Sequence, residues 1–350
     1  MSSITKPPVR HPGLGHNALG LTRRDYEGAM STLCAGCGHD SITAALIQAF
    51  FELDLPPHRA IKLSGIGCSS KTTAYFMRQS HGFNAVHGRM PAVATGANAA
   101  NRDLVAIGVS GDGDSLSIGL GQFCHAIRRN VNLLYVLENN GVYGLTKGQF
   151  SASADLGSKS KRGEPNSQPP IDPALLALTL GATFVARSFS GDKAQLVPIL
   201  KAGLRHQGFA FVDVISPCVT FNDHEGSTKS YRFTREHSRE VAPVDFVPLQ
   251  SEIVAPSTDR TMDVTMHDGS VVRFRKMDGE YDPTDRDAAY RFVRARQREG
   301  ELVTGLLYLE EGSPDMHGIN RTVGRPLAEL PYQELCPGNA ALQSLLDEFR

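Results

Sequence analysis

The segment Leu104-Val-Ala-Ile-Gly-Val-Ser-Gly-Asp-Gly-Asp114 and the later segment Val131-Asn-Leu-Leu-Tyr-Val-Leu-Glu-Asn-Asn-Gly-Val142 share one design. Each begins with an apolar run of strand length and ends in a turn of small residues. A helical pattern near residues 117–129 connects them, and further strand and helix patterns alternate up to residue 215. Such alternation predicts an α/β fold, in which a parallel twisted sheet has helices on both faces.

Each turn carries a side chain that suits a metal ion, Asp112 in the first and Asn140 in the second. Mg²⁺ takes octahedral oxygen ligands, usually one or two from protein side chains and others from phosphate groups. The glycines beside Asp112 allow backbone N–H groups to approach a phosphate without interference from Cβ atoms. Either turn alone is typical of an ordinary loop. The pair, each after a buried strand, predicts a magnesium site that holds a diphosphate.

The composition narrows the possible classes of function. The chain has 350 residues, of which 41% are hydrophobic and 21% are charged, and its formal net charge is −1. This length predicts one large domain with an extension, or two domains. The lack of a basic excess argues against binding to nucleic acid or to a membrane surface. Neither a signal peptide nor an apolar run of membrane-spanning length is visible, so we expect a cytoplasmic location.

The pattern divides the chain into three regions. Residues 1–33 are expected to form an irregular N-terminal arm, because they are rich in Pro and Gly. Residues 34–230 carry the alternating strands and helices and the diphosphate site. Residues 231–350 are expected to form a small α+β extension, with a hairpin signal at His267-Asp-Gly269. Residues 151–170, rich in Ser, Lys, Gly and Pro, are expected to be a mobile loop.

Four of the six cysteines are predicted to converge: Cys34, Cys37, Cys68 and Cys218. The last two follow predicted strands, and the first two precede the first helix, which begins at the same edge of a right-handed βαβ sheet. Ligands of open α/β sheets bind at that edge. Four thiolates suit a [4Fe–4S] cluster or a structural zinc ion. The C-x-x-C pair alone also suits thiol exchange, or a mixed zinc site with His39.

Several motifs in one order give the chain a family resemblance. The Gly-Asp-Gly and Asn-Asn turns, separated by a helix and a strand, resemble the thiamine-diphosphate motif. The whole set resembles the beta subunit of 2-oxoacid:ferredoxin oxidoreductases over about residues 25–230. The motifs are Cys34-Ala-Gly-Cys-Gly-His39, Gly65-Ile-Gly-Cys-Ser69, His87-Gly-Arg89, Gly111-Asp-Gly-Asp114, Asn139-Asn-Gly-Val-Tyr-Gly-Leu-Thr-Lys-Gly-Gln149 and Ser216-Pro-Cys-Val-Thr-Phe-Asn222. The family usually has Pro where this chain has Ala35, a change that removes no ligand.

The resemblance implies a thiamine-diphosphate site beside an iron–sulfur cluster. The [4Fe–4S] ligands would be Cys34, Cys37, Cys68 and Cys218, and the Mg²⁺ ligands Asp112, the Asn140 side chain and the Val142 carbonyl. Contact with the cofactor is implied for His39, Gly67, Cys68, Ser69, His87, Gly111, Asp112, Gly113, Asp114, Asn140, Val142 and Leu145. Catalytic or anion-binding roles are implied for His87, Arg89 and Lys147, although each such side chain alone is more often structural.

The implied reaction is the CoA-dependent oxidative decarboxylation of a 2-oxoacid, with electrons passed through the cluster to an external ferredoxin. An alpha subunit is expected to supply the activating glutamate and the pyrimidine-binding domain, in an αβ or α2β2 assembly. The long C-terminal segment resembles that of the 2-oxoglutarate enzymes, so succinyl-CoA is the expected product. Pyruvate and branched-chain oxoacid enzymes are alternatives. So are a cluster-free thiamine-diphosphate decarboxylase or synthase subunit and a non-catalytic zinc-binding subunit.

Overall fold

The computed structural model describes residues 13–160, 163–247, 261–275 and 281–350. The strands are β1 (Ala60–Ser64), β2 (His81–Asn84), β3 (Val105–Gly111), β4 (Leu133–Asn139), β5 (Val142–Tyr143), β6 (Gln149–Phe150), β7 (Phe184–Phe189), β8 (Phe209–Ile215), β9 (Ser238–Glu240), β10 (Val244–Val247), β11 (Thr261–Thr265), β12 (Val271–Arg275) and β13 (Leu302–Leu309). The α-helices are α1 (Gly38–Glu52), α2 (Met90–Ala100), α3 (Leu120–Arg128), α4 (Pro173–Leu180), α5 (Lys193–Arg205), α6 (Tyr231–His237), α7 (Arg286–Arg298), α8 (Met316–Asn320), α9 (Tyr332–Leu335) and α10 (Asn339–Asp347). Short 3₁₀ turns lie at Arg23–Tyr26, Pro57–Arg59, Ser69–Ala74 and Leu327–Glu329, and a π-helical turn lies at Gly113–Ile118.

Eight strands form the main sheet, in the order β2-β1-β3-β4-β8-β7-β13-β9. From β2 to β7 every neighbouring pair is parallel, and the predicted parallel α/β sheet is thus confirmed. β4 and β8 are buried along their whole length. Helices cover both faces of these central strands, which explains why their sequences are nearly continuous apolar runs.

A hydrophobic core lies on each face of the sheet, with α1 and α5 on one side and α2, α3, α4 and α7 on the other. On the second side the ring of Phe123, from α3, meets those of Tyr135, Phe209 and Phe211 edge-on, with centroids 5.2, 5.9 and 5.1 Å away. Edge-on aromatic contacts of this kind stabilise packing beyond the area that they bury. They fix α3 on the sheet, and with it the π-helical turn that follows β3.

Part of the C-terminal extension joins the main sheet. β13 pairs with β7 in the antiparallel direction, and β9 pairs with β13 in the parallel direction. A separate antiparallel sheet of β10, β12 and β11 contains the expected hairpin. Strands from both sides of residue 231 therefore belong to one sheet. The domain boundary at this residue stays a prediction from composition.

The C-terminal helix α10 presents an apolar face at the surface. Leu342, Leu345 and Leu346 are 54%, 53% and 47% exposed, and Phe349 is 84% exposed. An exposed apolar face of this kind is typical of a protein interface. Within the described ranges, none of the helices combines the length and the apolar character that crossing a bilayer demands.

Candidate cofactor site

Asp112 lies where β3 ends and the π-helical turn begins, and it is 1% exposed. Its carboxylate accepts hydrogen bonds from the backbone N–H groups of Asn140 at 3.3 Å and Gly141 at 3.0 Å. It also accepts from the hydroxyls of Ser151 and Ser153. Burial raises the pKa of this carboxyl, and the two serine hydrogen bonds oppose the rise. The two turns predicted to hold the metal therefore meet at one carboxylate.

Two amide side chains, one from the second turn and one from a distant loop, hold this turn in place. Oδ1 of Asn140 accepts a hydrogen bond from the Val142 N–H at 3.0 Å, and Asn222 donates its amide N–H to the Asn140 carbonyl at 2.7 Å. Gly141 has a φ of +76°, in the left-handed region that favours glycine. A Cβ at this position would lie 2.6 Å from Nδ2 of Asn222. Both backbone conformation and packing thus require glycine in this turn.

Close packing also requires glycine at one position in the first turn and at one position in the loop after β1. A Cβ on Gly113 would lie 2.5 Å from the Tyr143 ring, whose hydroxyl donates to the Gly113 carbonyl at 3.0 Å. A Cβ on Gly65 would lie 1.8 Å from Oδ2 of Asp114. The other oxygen of Asp114 accepts from the Gly88 N–H at 2.8 Å. Asp114 therefore ties together the loops around the site and serves as a positioning residue.

These loops surround one pocket at the carboxyl edge of β1, β3 and β4. Its lining includes every residue predicted to contact the cofactor: His39, Gly67, Cys68, Ser69, His87, Gly111, Asp112, Gly113, Asp114, Asn140, Val142 and Leu145. His87 is also one of the three residues predicted to be catalytic. The other two, Arg89 and Lys147, are exposed and do not belong to the described lining. The structure brings the predicted contact residues together, and their individual roles stay predictions.

A buried acid and a buried histidine lie beside the pocket. Glu138, the residue before Asn139, is 0% exposed, and the Thr72 hydroxyl is 3.0 Å from both of its carboxylate oxygens. Nδ1 of His39 lies 3.4 Å from Glu138 and 2.6 Å from the Ser216 hydroxyl. Burial lowers the pKa of His39 to about 4 and raises the pKa of Glu138 well above its usual value. His39 is therefore neutral near pH 7 and acts through hydrogen bonds.

Two of the predicted cluster thiols lie close to Gly144, the glycine after Tyr143. A Cβ on Gly144 would lie 3.3 Å from Sγ of Cys68 and 3.8 Å from Sγ of Cys218, so these sulfurs are within about 7 Å of each other. On the same loop as Cys218, the Thr220 hydroxyl donates to Sγ of Cys34 at 3.5 Å. Thiols from three distant chain segments are therefore brought to one place, as the sheet topology predicted.

The fourth thiol, Cys37, lies in the same group. The N–H of the next residue, Gly38, donates to the Pro217 carbonyl at 3.4 Å, which ties the two cysteine loops together. Burial raises the pKa of Cys37 to about 12, and the nearby charges of Glu138 and Cys218 add to the rise. Among the described residues, no three His, Cys, Asp or Glu side chains are close enough together to hold a single metal ion.

A chain of buried side chains leads from Asp112 into the protein. Oγ of Ser153 lies 2.7 Å from the Asp112 carboxylate and 2.8 Å from Oδ1 of Asn139. The Asn139 amide donates to Asp213 at 3.0 Å, and Asp213 accepts from Nε of Arg187 at 2.7 Å. None of these five residues is more than 2% exposed. The position of the predicted metal ligand is thus linked to an ion pair on the neighbouring strands.

The sequence analysis missed three side chains that shape the site: Glu138, Ser151 and Ser153. Ser151 and Ser153 belong to the segment expected to be a mobile loop, yet they are 7% and 1% exposed and bind Asp112. That expectation fails for this part of the segment, because hydrogen bonds to a buried carboxylate replace those to water. The polar residue Glu138 at the end of an apolar run was the one available signal for a buried acid.

Comparison with known proteins agrees with this geometry. The family model described as "Thiamine pyrophosphate enzyme, C-terminal TPP binding domain" matches residues 65–214. A 2-oxoacid:ferredoxin oxidoreductase subunit beta from Saccharolobus solfataricus is 43% identical over 211 residues, which cover 60% of this chain and 68% of that protein. The 2-oxoglutarate oxidoreductase subunit KorB of Mycobacterium tuberculosis is 35% identical over 332 residues, which cover 89% of this chain and 83% of KorB. This chain belongs to the family of 2-oxoacid:ferredoxin oxidoreductase beta subunits.

A solved structure extends the comparison to the whole fold of this beta subunit. It is a 2-oxoglutarate:ferredoxin oxidoreductase from Magnetococcus marinus with 2-oxoglutarate, coenzyme A and succinyl-CoA bound. The match has a TM-score of 0.71 at 31% identity, and it covers 88% of this chain and 91% of that chain. Membership of the family makes this chain an oxidoreductase subunit with a thiamine-diphosphate-binding domain, which works with an alpha partner.

Proposed function

We propose that this beta subunit serves an enzyme that converts 2-oxoglutarate, with CoA, into succinyl-CoA and CO₂. Electrons leave through a [4Fe–4S] cluster to ferredoxin. The proposal depends on one observation: the predicted cluster cysteines lie next to the pocket of the predicted magnesium ligands. Cys68 lines the pocket that contains Asp112 and Asn140, and the sulfurs of Cys68 and Cys218 both lie within 4 Å of the position that a Cβ on Gly144 would take. Decarboxylation and electron removal are thus assigned to adjoining sites.

The side chains around Asp112 fit a divalent cation that holds a diphosphate. A buried carboxylate is stabilised by charge compensation, and a cation beside it supplies more than serine hydroxyls do. We assign Asp112, the Asn140 side chain and the Val142 carbonyl to Mg²⁺, and the backbone of Gly111 and Gly113 to the diphosphate. When bound, thiamine diphosphate supplies the chemistry that removes CO₂ from a 2-oxoacid. The protein positions the cofactor and excludes water from the reacting face.

The thiols fit an iron–sulfur cluster better than they fit zinc. Cys34, Cys37, Cys68 and Cys218 approach one another without forming a compact set around a single ion. Four cysteine thiolates are the usual ligands of a [4Fe–4S] cluster. Burial raises the pKa of Cys37 to about 12, and a bound metal ion would favour the thiolate form that a ligand needs.

The substrate and the partners are assigned from relatives and from the surface. KorB from Mycobacterium tuberculosis and the Magnetococcus marinus structure, both with 2-oxoglutarate in their names, each match more than four fifths of this chain. Arg89 and Lys147 are exposed beside the pocket, and we assign them to anionic groups of substrate or CoA. The exposed apolar face of α10 suits burial against an alpha subunit in an αβ or α2β2 assembly. None of the six cysteines of the beta subunit forms a disulfide, and we assign the subunit to the reducing cytoplasm.

The test uses the complete alpha–beta complex, purified without oxygen. We expect about four iron and four acid-labile sulfide atoms for each beta chain, as one [4Fe–4S] cluster requires. We also expect CoA-dependent reduction of a viologen dye with 2-oxoglutarate, and slower reduction with pyruvate and branched-chain oxoacids. Zinc in place of iron would refute the cluster, and a preference for pyruvate would refute the substrate.

A matched pair of cysteine variants sharpens the test. Cys68→Ser removes a proposed cluster ligand, so the complex should lose iron and dye reduction together. Cys124→Ser changes a partly buried thiol on α3, away from the pocket lining, and should keep both. Equal iron contents in the two variants would show that Cys68 is not a ligand. Asp112→Asn should abolish magnesium-dependent binding of thiamine diphosphate while the iron content stays at the wild-type level.

A further inference from the structure

A short turn at residues 218–222 packs against the loop at residues 34–37. The turn begins at Cys218, whose carbonyl accepts two backbone hydrogen bonds, at 3.2 and 2.9 Å, from the third and fourth residues after it. A Cβ on Gly36 would lie 3.6 Å from Cγ1 of Val219, so the two segments lie close together. Two segments that each carry proposed cluster ligands are therefore neighbours at the surface.

Two hydrogen bonds to this loop hold it beside the turn. The Tyr231 hydroxyl, from the start of α6, donates to the Gly36 carbonyl at 3.0 Å. The N–H of Gly38 donates to the Pro217 carbonyl at 3.4 Å. Neither bond uses a side chain of the turn itself. The position of the loop is therefore secured by contacts that a change of the Thr220 side chain leaves in place.

Thr220 contacts a proposed cluster ligand through its side chain. Its hydroxyl donates to Sγ of Cys34 at 3.5 Å. Both residues are exposed, whereas Cys37, Cys68 and Cys218 are partly buried. The bond thus forms on the outer side of the four thiols. Hydrogen bonds to the sulfurs and exposure to solvent are two of the factors that set the potential of an iron–sulfur cluster.

The backbone of Thr220 acts on a second proposed ligand. Burial raises the pKa of Cys218, and the backbone N–H groups of Thr220 and Phe221 oppose that rise. An N–H group that favours the thiolate over the thiol favours negative charge on the sulfur. One residue of the turn therefore directs a donor toward each of two sulfurs.

We propose that Thr220 is a positioning residue that sets the reduction potential of the cluster, an inference that rests on the function proposed above. Its hydroxyl donates to the Cys34 thiolate and stabilises the reduced cluster more than the oxidised one. The reason is that reduction adds one electron, and with it negative charge on the sulfurs, while no covalent bond forms or breaks. The hydrogen bond therefore raises the potential and makes the cluster a better acceptor of the electrons that decarboxylation releases.

The experiment compares Thr220→Val with the wild type in the complete alpha–beta complex, purified without oxygen. Valine has the branching of threonine but no hydroxyl. The midpoint potential is measured by titration with dithionite, followed by the EPR signal of the reduced cluster. We expect the equilibrium constant of reduction to fall about three- to tenfold, which makes the potential about 30–60 mV more negative for a one-electron couple. Thr220→Ser keeps the hydroxyl and should keep the wild-type potential.

Thr73→Val is the matched control. Thr73 lies in the turn after Cys68, a third proposed ligand, and its hydroxyl donates to the Ser70 carbonyl at 3.1 Å. This variant should keep the wild-type potential, and all the variants should keep the wild-type content of iron and sulfide. An unchanged potential in Thr220→Val, or an equal shift in Thr220→Ser or Thr73→Val, would overturn the proposal.

The iron content separates the other outcomes. Should Thr220→Val lose its iron, Thr220→Ala takes its place in the titration. Loss of iron from both would show that the hydroxyl acts on cluster assembly, and would also overturn the proposal. Absence of iron from the wild-type complex would refute the proposed function and this inference with it. An iron-loaded complex without the shift would refute this inference alone.

Discussion

Gly113→Ala is expected to weaken cofactor binding more than it weakens folding. The new Cβ would lie 2.5 Å from the Tyr143 ring, whereas carbon atoms in contact are about 3.5–4.0 Å apart. Tyr143 belongs to the loop that follows Asn140, and its hydroxyl donates to the Gly113 carbonyl at 3.0 Å. The ring has to move outward, and the loop with the proposed metal ligands moves with it.

The size of the effect follows from these contacts. Overpacking of this kind costs about 1–3 kcal/mol, and loss of the Tyr143 hydrogen bond adds about 1 kcal/mol. Without cofactor the loop relieves the clash by shifting, because Tyr143 is only partly buried. With cofactor the loop has to return. A cost of about 2–4 kcal/mol then opposes binding and corresponds to about 30- to 1,000-fold in affinity.

The assay is calorimetric titration of the alpha–beta complex with thiamine diphosphate in the presence of Mg²⁺, beside thermal unfolding. Gly121→Ala is the control: it lies in α3, and a Cβ there meets nothing within 4 Å. It should bind the cofactor like the wild type and be more stable by up to about 1 kcal/mol, because alanine favours a helix. Wild-type affinity in Gly113→Ala would refute the argument that this glycine keeps the two turns together.

Three further predictions concern other parts of the molecule. Gly144→Ala places a Cβ 3.3 Å from the Cys68 sulfur and should lower the iron content per chain. An iron content equal to that of the wild type would contradict a cluster at this place. Burial lowers the pKa of Lys62 to about 8 from 10.5, so the unfolded chain binds more protons between these values. Wild-type stability should therefore rise from pH 8 to 10.5 relative to Lys62→Met, and parallel denaturation profiles would exclude the effect. Arg187→Met removes the cationic partner of the buried Asp213 and of the partly exposed Asp172. It should cost about 3–5 kcal/mol of unfolding free energy, measured by chemical denaturation. A loss below about 1 kcal/mol would count against the ion pair.

The central strands were predictable because their apolar runs are buried on both faces, but their ends were not. The sequence predicted strands at 104–109 and 131–137, and the structure extends them to Gly111 and Asn139. The added residues are polar, and their side chains find buried partners, as Glu138 does with Thr72 and Asn139 does with Asp213. Hydrophobic periodicity carries no information on such partners, since they are distant in sequence.

The residues of the site also divide into those that the sequence predicts and those that it does not. Asp112, Asn140 and their glycines were predictable, because a turn after a strand is a local feature with a known place on a parallel sheet. Ser153 was not predictable, because its role depends on hydrogen bonds to two loops that come together only after folding. The pairing of β13 with β7 was missed for a similar reason. A strand that joins a parallel sheet in the antiparallel direction leaves no signal in the sequence of the strand with which it pairs.

The dispersed origin of the four thiols bears on how the protein is made. Thr220, beside the last thiol, and Cys34 are 186 positions apart, and they touch only when the sheet is complete. During translation the first pair leaves the ribosome long before its last partner exists, so the proposed cluster would gain all four ligands only in a chain that has folded through β8. The proposed cluster would also cross-link the chain, and a chain-entropy estimate for a loop of this length gives about 5 kcal/mol of stabilisation. Under the proposed function, cluster assembly would thereby distinguish complete from truncated subunits, because a truncated subunit would lack the ligand Cys218.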